Sequence, residues 1–255
     1  MSEISIALGD GRAVPAFASL PASTTPAPGV VVIHDALGMT DDVRRHVTWL
    51  ASAGYLAAAP DLYHWGGRLR CLVRTMRDLA AGASVGGRSF EAIAAVRRWL
   101  SEHEQGTGVV GIIGFCLRGG FAFALASGHG YAAAAPNYGG LSERDWNNLG
   151  SACPIVASYG ADDPTLKGQA ERLRHTLSRL GVAHDVYQYP GVGHGFMNDH
   201  AKADSNLFFD LMAKLSNTRY DAAAAEHARA RILAFFEQHL RGGPAGGVSV
   251  GSAAP

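Results

Sequence analysis

Short apolar runs that alternate with helical segments are the feature that most limits how this chain can fold. Residues 30–33 (VVVI) and 109–115 (VVGIIGF) are almost wholly apolar, which is typical of strands buried on both faces of a parallel sheet. Residues 41–53 and 89–103 instead carry apolar side chains at helical spacing. Strands that alternate with helices predict an α/β fold with a mainly parallel central sheet and helices on both of its faces.

The same alternation continues to residue 240. Further strands are predicted at residues 55–59, 132–138, 154–159 and 184–189, and further helices at residues 121–126, 169–180 and 222–240. Residues 4–8 and 13–19 predict an antiparallel hairpin at one edge of the sheet. We therefore predict a single domain over residues 1–241, followed by a flexible, glycine- and alanine-rich C-terminal tail over residues 242–255.

The composition of the chain favours a small-molecule ligand. There are 22 basic and 22 acidic residues, so no basic field is present to attract nucleic acid. The three cysteines lack the spacing of a disulfide framework, and reduced thiols are typical of the cytoplasm. No run approaches the roughly 20 apolar residues that a membrane span needs. The sequence does not indicate an oligomeric state.

Cys116 follows one predicted strand and precedes a helix, within residues 111–120 (GIIGFCLRGG). This context is typical of a nucleophile elbow, a sharp turn that lifts one side chain above the sheet. In parallel sheets of this kind, ligands bind at the carboxyl ends of the strands, where such a turn lies. The alternative is that Cys116 is a small buried core residue, as a free cysteine often is.

His194 and Asp163 also follow predicted strands, in residues 191–196 (GVGHGF) and 160–163 (GADD). Each has a simpler interpretation: a surface-loop histidine, and a turn carboxylate before proline. However, the order nucleophile, acid, histidine is the chain order of α/β-hydrolases. Asp162 is the alternative for the acid.

Five stretches resemble the dienelactone hydrolases, also called carboxymethylenebutenolidases: residues 31–39, 54–63, 113–126, 158–163 and 189–196. The resemblance covers about residues 12–240. It implies an α/β-hydrolase fold and hydrolysis of a lactone or small carboxylic ester, with Cys116 as nucleophile, His194 as base and Asp163 as the acid that orients it. One oxyanion-hole N–H is expected from Leu117, directly after the nucleophile, and the resemblance implies Ala36 as the other.

Two positions depart from the family's pattern. Asp35 stands where the family has a glutamate that interacts with the nucleophilic thiol in the resting enzyme, and it is one methylene shorter. Its alternative role is to cap nearby backbone N–H groups. Arg118 stands where the family has a glycine, two residues after the nucleophile. We expect its long side chain to strain the elbow or point away from the sheet, to enter the cleft as an anion ligand, or to disable the site.

The family binds a substrate carboxylate with two arginines, and this chain differs there too. Four residues after the triad histidine it has Asn198. Candidates for the second arginine are Arg68, Arg70 and Arg74. Tyr138, which follows the apolar run at residues 132–136, is expected to line the pocket together with these residues.

Four other functions compete with the hydrolase interpretation. The first is a non-catalytic ligand-binding homologue whose elbow is blocked by Arg118. A glutaminase-type cysteine hydrolase would place its acid two residues from the histidine, unlike Asp163 and His194. A metal site from His34, Asp35, His64 and His194 lacks H-E-x-x-H or C-x-x-C spacing. A dinucleotide site lacks G-x-G-x-x-G after a strand, so we predict neither a metal nor a cofactor.

Overall fold

The computed structural model describes residues 1–9, 11–66, 87–201 and 207–242. The strands are β1 (Ser2–Ala7), β2 (Ala13–Ser19), β3 (Ala27–Ile33), β4 (Leu56–Pro60), β5 (Gly106–Phe115), β6 (Ala134–Asn137), β7 (Ile155–Gly160) and β8 (His184–Tyr189). The helices are α1 (Asp41–Ser52), α2 (Arg88–Ser101), α3 (Gly119–Ala126), α4 (Glu143–Asn148), α5 (Gln169–Leu180), α6 (Leu207–Leu215) and α7 (Ala222–Leu240). A 3₁₀ turn, Cys116–Arg118, joins β5 to α3.

Over these residues the strands form one sheet in the order β1-β2-β4-β3-β5-β6-β7-β8. The pairs β1–β2 and β2–β4 are antiparallel, and every later pair is parallel. Along β3, Val30 and Val32 belong to one apolar cluster and Val31 and Ile33 to the other, because successive side chains point to opposite faces. Helices α1 and α7 pack in the first cluster, and α2, α3 and α5 in the second. The predicted mainly parallel sheet with helices on both faces is confirmed.

Most element boundaries follow the sequence pattern. The predicted helices at residues 169–180 and 222–240 coincide with α5 and α7, and the predicted edge hairpin is present as β1 and β2. We did not predict α4, although Ser142 and Asp145 form a capping box at its start, which is a local sequence signal. Most of the predicted tail, residues 243–255, lies outside the described residues. Each helix that the structure describes is too short or too polar to cross a bilayer.

The register of the central strands brings several polar residues to one edge of the sheet. Ile33 of β3 lies opposite Gly114 of β5, and Phe115 lies opposite Asn137 of β6. Since these strands are parallel, the residues that follow them emerge side by side. Asp35 and Cys116 therefore stand at equivalent positions, because each lies two residues beyond the paired residues Ile33 and Gly114 of the neighbouring strands β3 and β5.

Candidate active site

Cys116 occupies a tight turn directly after β5. Its φ is 57°, in the left-handed region that non-glycine residues rarely adopt. The turn brings the strand and the following helix close together: a Cβ at Gly114 would lie only 2.3 Å from the carbonyl oxygen of Arg118. Glycine at position 114 therefore permits the close approach that a strand–turn–helix elbow requires. The cysteine itself is partly buried, not sealed in the core.

Cys116, His194 and Asp163 form a continuous chain of contacts. The Sγ atom of Cys116 lies 3.1 Å from Nε2 of His194, and Nδ1 of His194 lies 2.6 Å from Oδ2 of Asp163. The other carboxylate oxygen of Asp163 accepts hydrogen bonds from the backbone N–H of Thr165 at 2.8 Å and from its hydroxyl at 2.6 Å. Asp162 is exposed, and it is Asp163 that contacts the imidazole.

The loop that carries His194 depends on close backbone packing. A Cβ at Gly160, the last residue of β7, would lie 2.2 Å from the carbonyl oxygen of Gly193. A Cβ at Gly193 would in turn lie 1.9 Å from the carbonyl oxygen of Asn217. The backbone N–H of Asp162 also donates to the carbonyl of Val192 at 2.9 Å. These contacts hold the loop that carries His194 against the end of β7, three residues before Asp163.

The electrostatics of the three residues favour a charged imidazole. Burial alone would lower the pKa of His194, but the charge of Cys116 and hydrogen bonds to Asp163 and Cys116 outweigh it and raise the pKa to about 10. Burial would raise the pKa of Asp163, but the hydrogen bond to His194, its charge and the Thr165 donors lower it overall. The arrangement can therefore stabilise an imidazolium between a sulfur and a carboxylate.

Ala36 and Leu117 lie at matched positions beyond neighbouring strands. Each stands three residues after the paired residues Ile33 and Gly114. The carbonyl oxygen of Ala36 accepts a hydrogen bond from the hydroxyl of Tyr63 at 2.9 Å, which fixes the peptide that follows the residue. Two backbone N–H groups next to the nucleophile position are the usual composition of an oxyanion hole.

Asp35 is buried, and both of its carboxylate oxygens have partners. Oδ1 accepts the backbone N–H of Leu37 at 2.8 Å, and Oδ2 lies 2.5 Å from Nε2 of His200. The first contact agrees with the interpretation of Asp35 as a residue that caps backbone N–H groups. The second was not predicted, because the distance between residues 35 and 200 in sequence leaves no local signal for it.

Tyr138 and Asn198 meet in a buried hydrogen-bond network. The hydroxyl of Tyr138 donates to Oδ1 of Asn198, and Nδ2 of Asn198 donates to Oδ2 of Asp42 at 2.7 Å. The ring of Tyr138 packs edge-on against the imidazole of His194, with 5.1 Å between centroids. Burial and the nearby charge of Asp42 raise the pKa of Tyr138 well above its ordinary value, so its hydroxyl keeps its proton. Sequence analysis missed Asp42.

Arg118, two residues after Cys116, does not have a strained backbone. Its φ of −91° and ψ of −4° are open to any residue, so the strain expected from a long side chain in the turn is absent. The left-handed φ falls on Cys116 instead. The Arg118 side chain is fully buried, with Cζ 5.0 Å from the centroid of the Tyr63 ring and 5.3 Å from that of Phe121.

The remaining predictions concern three arginines and a possible metal site. Arg68, Arg70 and Arg74 lie outside the described residues. The ring nitrogens of His34 contact the carbonyl of Asp35 and the N–H of Leu62. Over the described ranges, no group of three or more histidine, cysteine, aspartate and glutamate residues is arranged to hold a metal ion.

The strand order, with helices connecting the parallel strands, places the chain among the α/β-hydrolases. In this class the nucleophile stands on a sharp turn between a strand of the sheet and the helix that follows it. The comparison with known families is more specific. A model described as the dienelactone hydrolase family matches residues 14–240. The chain therefore belongs to the dienelactone hydrolase family, whose members are hydrolases.

Individual relatives agree with this assignment. A carboxymethylenebutenolidase of Pseudomonas putida is 28% identical over 229 residues, which cover 85% of this chain and 92% of the relative. A carboxymethylenebutenolidase of Pseudomonas knackmussii matches with the same identity and coverage. A solved structure of a dienelactone hydrolase-like promiscuous phosphotriesterase from metagenomic libraries is 22% identical and has a TM-score of 0.74. It covers 93% of this chain and 98% of its own, and shows the shared fold.

Proposed function

We propose that this chain hydrolyses a lactone or a small carboxylic ester with Cys116 as nucleophile, His194 as proton carrier and Asp163 as the residue that orients His194. The observation that carries the proposal is the pair of contacts at His194, 3.1 Å to the sulfur and 2.6 Å to the carboxylate. Family membership supports the reaction type. Formal neutrality supports a small-molecule substrate, and the cysteine content supports the cytoplasm as its location.

In the first half-reaction the thiolate of Cys116 attacks the carbonyl carbon. The carbon–sulfur bond forms while the carbonyl π electrons move to oxygen, and the N–H groups of Ala36 and Leu117 stabilise that oxyanion. Each such donor typically contributes about 2.7–4 kcal/mol to lowering the barrier. When the oxyanion collapses, the carbon–oxygen bond of the ester breaks. Nε2 of His194 gives its proton to the departing alkoxide, which leaves a thioester on Cys116.

In the second half-reaction the now neutral His194 accepts a proton from water. The hydroxide attacks the thioester carbonyl, and a second oxyanion forms in the same position. Its collapse breaks the carbon–sulfur bond, releases the carboxylic acid and restores the thiolate next to the imidazolium. Asp163 keeps Nδ1 of His194 protonated, so that Nε2 is the nitrogen that exchanges protons in both steps.

Replacement of the proposed nucleophile tests this mechanism. We expect Cys116→Ala to lower the turnover of p-nitrophenyl butyrate by about a thousandfold or more, because no other group replaces the sulfur. Cys153→Ala is the matched control, since Cys153 is a partly buried thiol whose pKa burial raises to about 12. The control should retain near wild-type turnover. Turnover of Cys116→Ala within tenfold of wild type would refute the mechanism.

A panel of lactones, aryl esters and thioesters separates the hydrolase from a ligand-binding homologue. The contact between Cys116 and His194 favours catalysis, because Arg118 does not separate the two side chains. If the wild type binds such compounds yet hydrolyses none of them, the non-catalytic alternative is correct. The same panel identifies which bond the enzyme prefers.

A further inference from the structure

Asp42, in the first turn of α1, is a buried carboxylate that the proposed mechanism does not use. Oδ2 accepts a hydrogen bond from Nδ2 of Asn198 at 2.7 Å, and Oδ1 accepts from the backbone N–H of Asp199 at 3.1 Å and from Nη2 of Arg45 at 3.0 Å. Burial would raise the pKa of Asp42, but its contacts with His46 and Asn198 outweigh that effect and hold the pKa well below its ordinary value. The carboxylate is therefore charged, and it can only accept hydrogen bonds.

A charged acceptor at Asp42 fixes the direction in which the amide of Asn198 points. The NH₂ group of the amide faces the carboxylate, so the amide oxygen faces the hydroxyl of Tyr138, which donates to it. The backbone N–H of Asn198 also donates to the carbonyl of Gly195 at 3.0 Å, next to His194. The three side chains thus form one directed hydrogen-bond path from α1 to Tyr138.

Tyr138 depends on such a path because its backbone is strained. Its φ is 39°, in the left-handed region that a bulky residue rarely adopts. A strained residue keeps its conformation only where its surroundings hold it. The backbone N–H donates to the carbonyl of Ser158 at 2.7 Å, and Asn198 holds the hydroxyl. Between these two anchors the ring is fixed edge-on to the imidazole of His194.

The other end of the path is fixed to the strand that carries the nucleophile. Nε2 of His46, one turn further along α1, lies 3.4 Å from Oδ2 of Asp42. The buried imidazole of His46 stacks on the ring of Phe115, with 4.3 Å between centroids and 20° between the ring planes. Phe115 is the last residue of β5 and directly precedes Cys116. Asp42 is therefore anchored to the elbow on one side and to the ring beside His194 on the other.

The orientation of the His194 imidazole decides whether its proton can reach the reacting atoms. Nε2 lies 3.1 Å from Sγ of Cys116, and Nδ1 lies 2.6 Å from Oδ2 of Asp163. A displacement of about 1 Å in such a group can lower the rate a hundredfold. The Tyr138 ring packs against the imidazole, with 5.1 Å between centroids, so its position limits how far the imidazole can move.

We propose that Asp42 is a positioning residue for His194, and that through Asn198 and Tyr138 it holds the imidazole in line with the sulfur of Cys116. This inference rests on the proposed function, in which His194 carries the proton. Asp42 touches neither the substrate nor the reacting atoms. Its loss should therefore lower kcat and leave KM nearly unchanged, because the substrate still binds while the proton carrier is out of place.

Asp42→Asn tests the proposal, because the amide has nearly the shape of the carboxylate but no longer fixes the direction of Asn198. We expect kcat for p-nitrophenyl butyrate to fall about tenfold to hundredfold, with KM within about threefold of wild type. Asp185→Asn is the matched control, since it removes a carboxylate paired with Arg231 at the start of β8, the opposite end of the sheet. Unchanged kcat in folded Asp42→Asn, or an equal loss in the control, overturns the inference.

Tyr138→Phe shows whether Asp42 acts through Tyr138. This variant keeps the ring and removes the hydroxyl that donates to Asn198. Because both variants interrupt the same path, the kcat of the double variant should be close to that of the less active single variant, whereas independent effects multiply. Losses that multiply would show that Asp42 does not act through Tyr138, and the inference would be wrong.

NMR of His194 provides a test that needs no turnover. In the Cys116→Ala background, Asp42→Asn should shift the ring-proton resonances of His194, because the aromatic ring beside them moves, and Asp185→Asn should leave them in place. Unshifted resonances in Asp42→Asn overturn the inference. If Asp42→Asn does not fold, Tyr138→Phe takes its place in the same measurement, with the same two outcomes. The proposed hydrolase mechanism fails separately, through turnover that survives in Cys116→Ala.

Discussion

The carboxylate of Asp35 and the imidazole of His200 lie in contact, with 2.5 Å between Oδ2 and Nε2, although 165 residues separate them in the chain. The pair joins the end of β3 to the segment that follows the His194 loop. Asp35 also holds the N–H of Leu37. The acidic side chain at this position is thus engaged with a histidine and a backbone amide.

Asp35→Ala should lower the stability of the protein and have little effect on the reactivity of the Cys116 thiol. Loss of this carboxylate removes the acceptor of the Leu37 N–H and the contact with Nε2 of His200, which costs about 1–3 kcal/mol of unfolding free energy, measurable by urea denaturation. Asp199→Ala, an exposed neighbour of His200, is the control and should change the unfolding free energy by less than about 0.5 kcal/mol. A large change in the rate of Cys116 alkylation with unchanged stability would show that Asp35 acts on the sulfur instead.

The raised pKa of His194 predicts a pH-dependent contribution to stability. The folded-state pKa is about 10, against an ordinary value of 6.5, so protonation favours the folded state. This contribution is fully present below pH 6.5 and is lost as the pH rises through about 10. The stability advantage of the wild type over His194→Gln should therefore shrink between pH 6 and pH 10.5 in denaturation experiments.

The raised pKa of His194 can also be tested directly by spectroscopy. Cys116→Ala removes the charge and the hydrogen bond of the sulfur while the ring stays buried. The pKa of His194, followed by NMR titration of its ring protons, should fall in this variant. An unchanged pKa would mean that the sulfur does not stabilise the imidazolium.

Gly160→Ala should displace the His194 loop. The new Cβ would meet the carbonyl oxygens of Gly193 and Val192 at 2.2 and 2.4 Å, so the backbone must move. A displacement of about 1 Å in a catalytic group can lower the rate a hundredfold, and we expect a loss of kcat/KM of that order. Gly9→Ala, with no atom within 4 Å of the new Cβ, should behave as the wild type. Full activity of Gly160→Ala would show that the loop tolerates movement.

Asn198→Ala should lower the free energy of unfolding, because it interrupts the buried hydrogen-bond network of Tyr138, Asn198 and Asp42. It leaves the Tyr138 hydroxyl without its acceptor and removes the amide donor from Oδ2 of Asp42, at about 1–3 kcal/mol of unfolding free energy. Asn147→Ala, at an exposed position of α4, is the control. Equal stability of the two variants in urea denaturation would contradict a structural role for Asn198.

Much of the fold could be predicted because its elements obey local rules. Buried strands such as β5 are apolar runs, amphipathic helices such as α5 show helical spacing, and both patterns are present in the sequence itself. The α4 helix was missed because it has only six residues, none of them buried, so it shows no apolar periodicity. Its capping box was the available signal.

The sequence by itself determined most of the strands and helices, in their order along the chain, and the turn that carries Cys116, because hydrophobic periodicity and glycine spacing act over a few neighbouring residues. Only the tertiary structure decided that Asp35 meets His200 and that Arg118 is buried between Tyr63 and Phe121. These contacts join residues from separate strands and loops. They depend on how the sheet and its helices pack, and no local pattern records that packing.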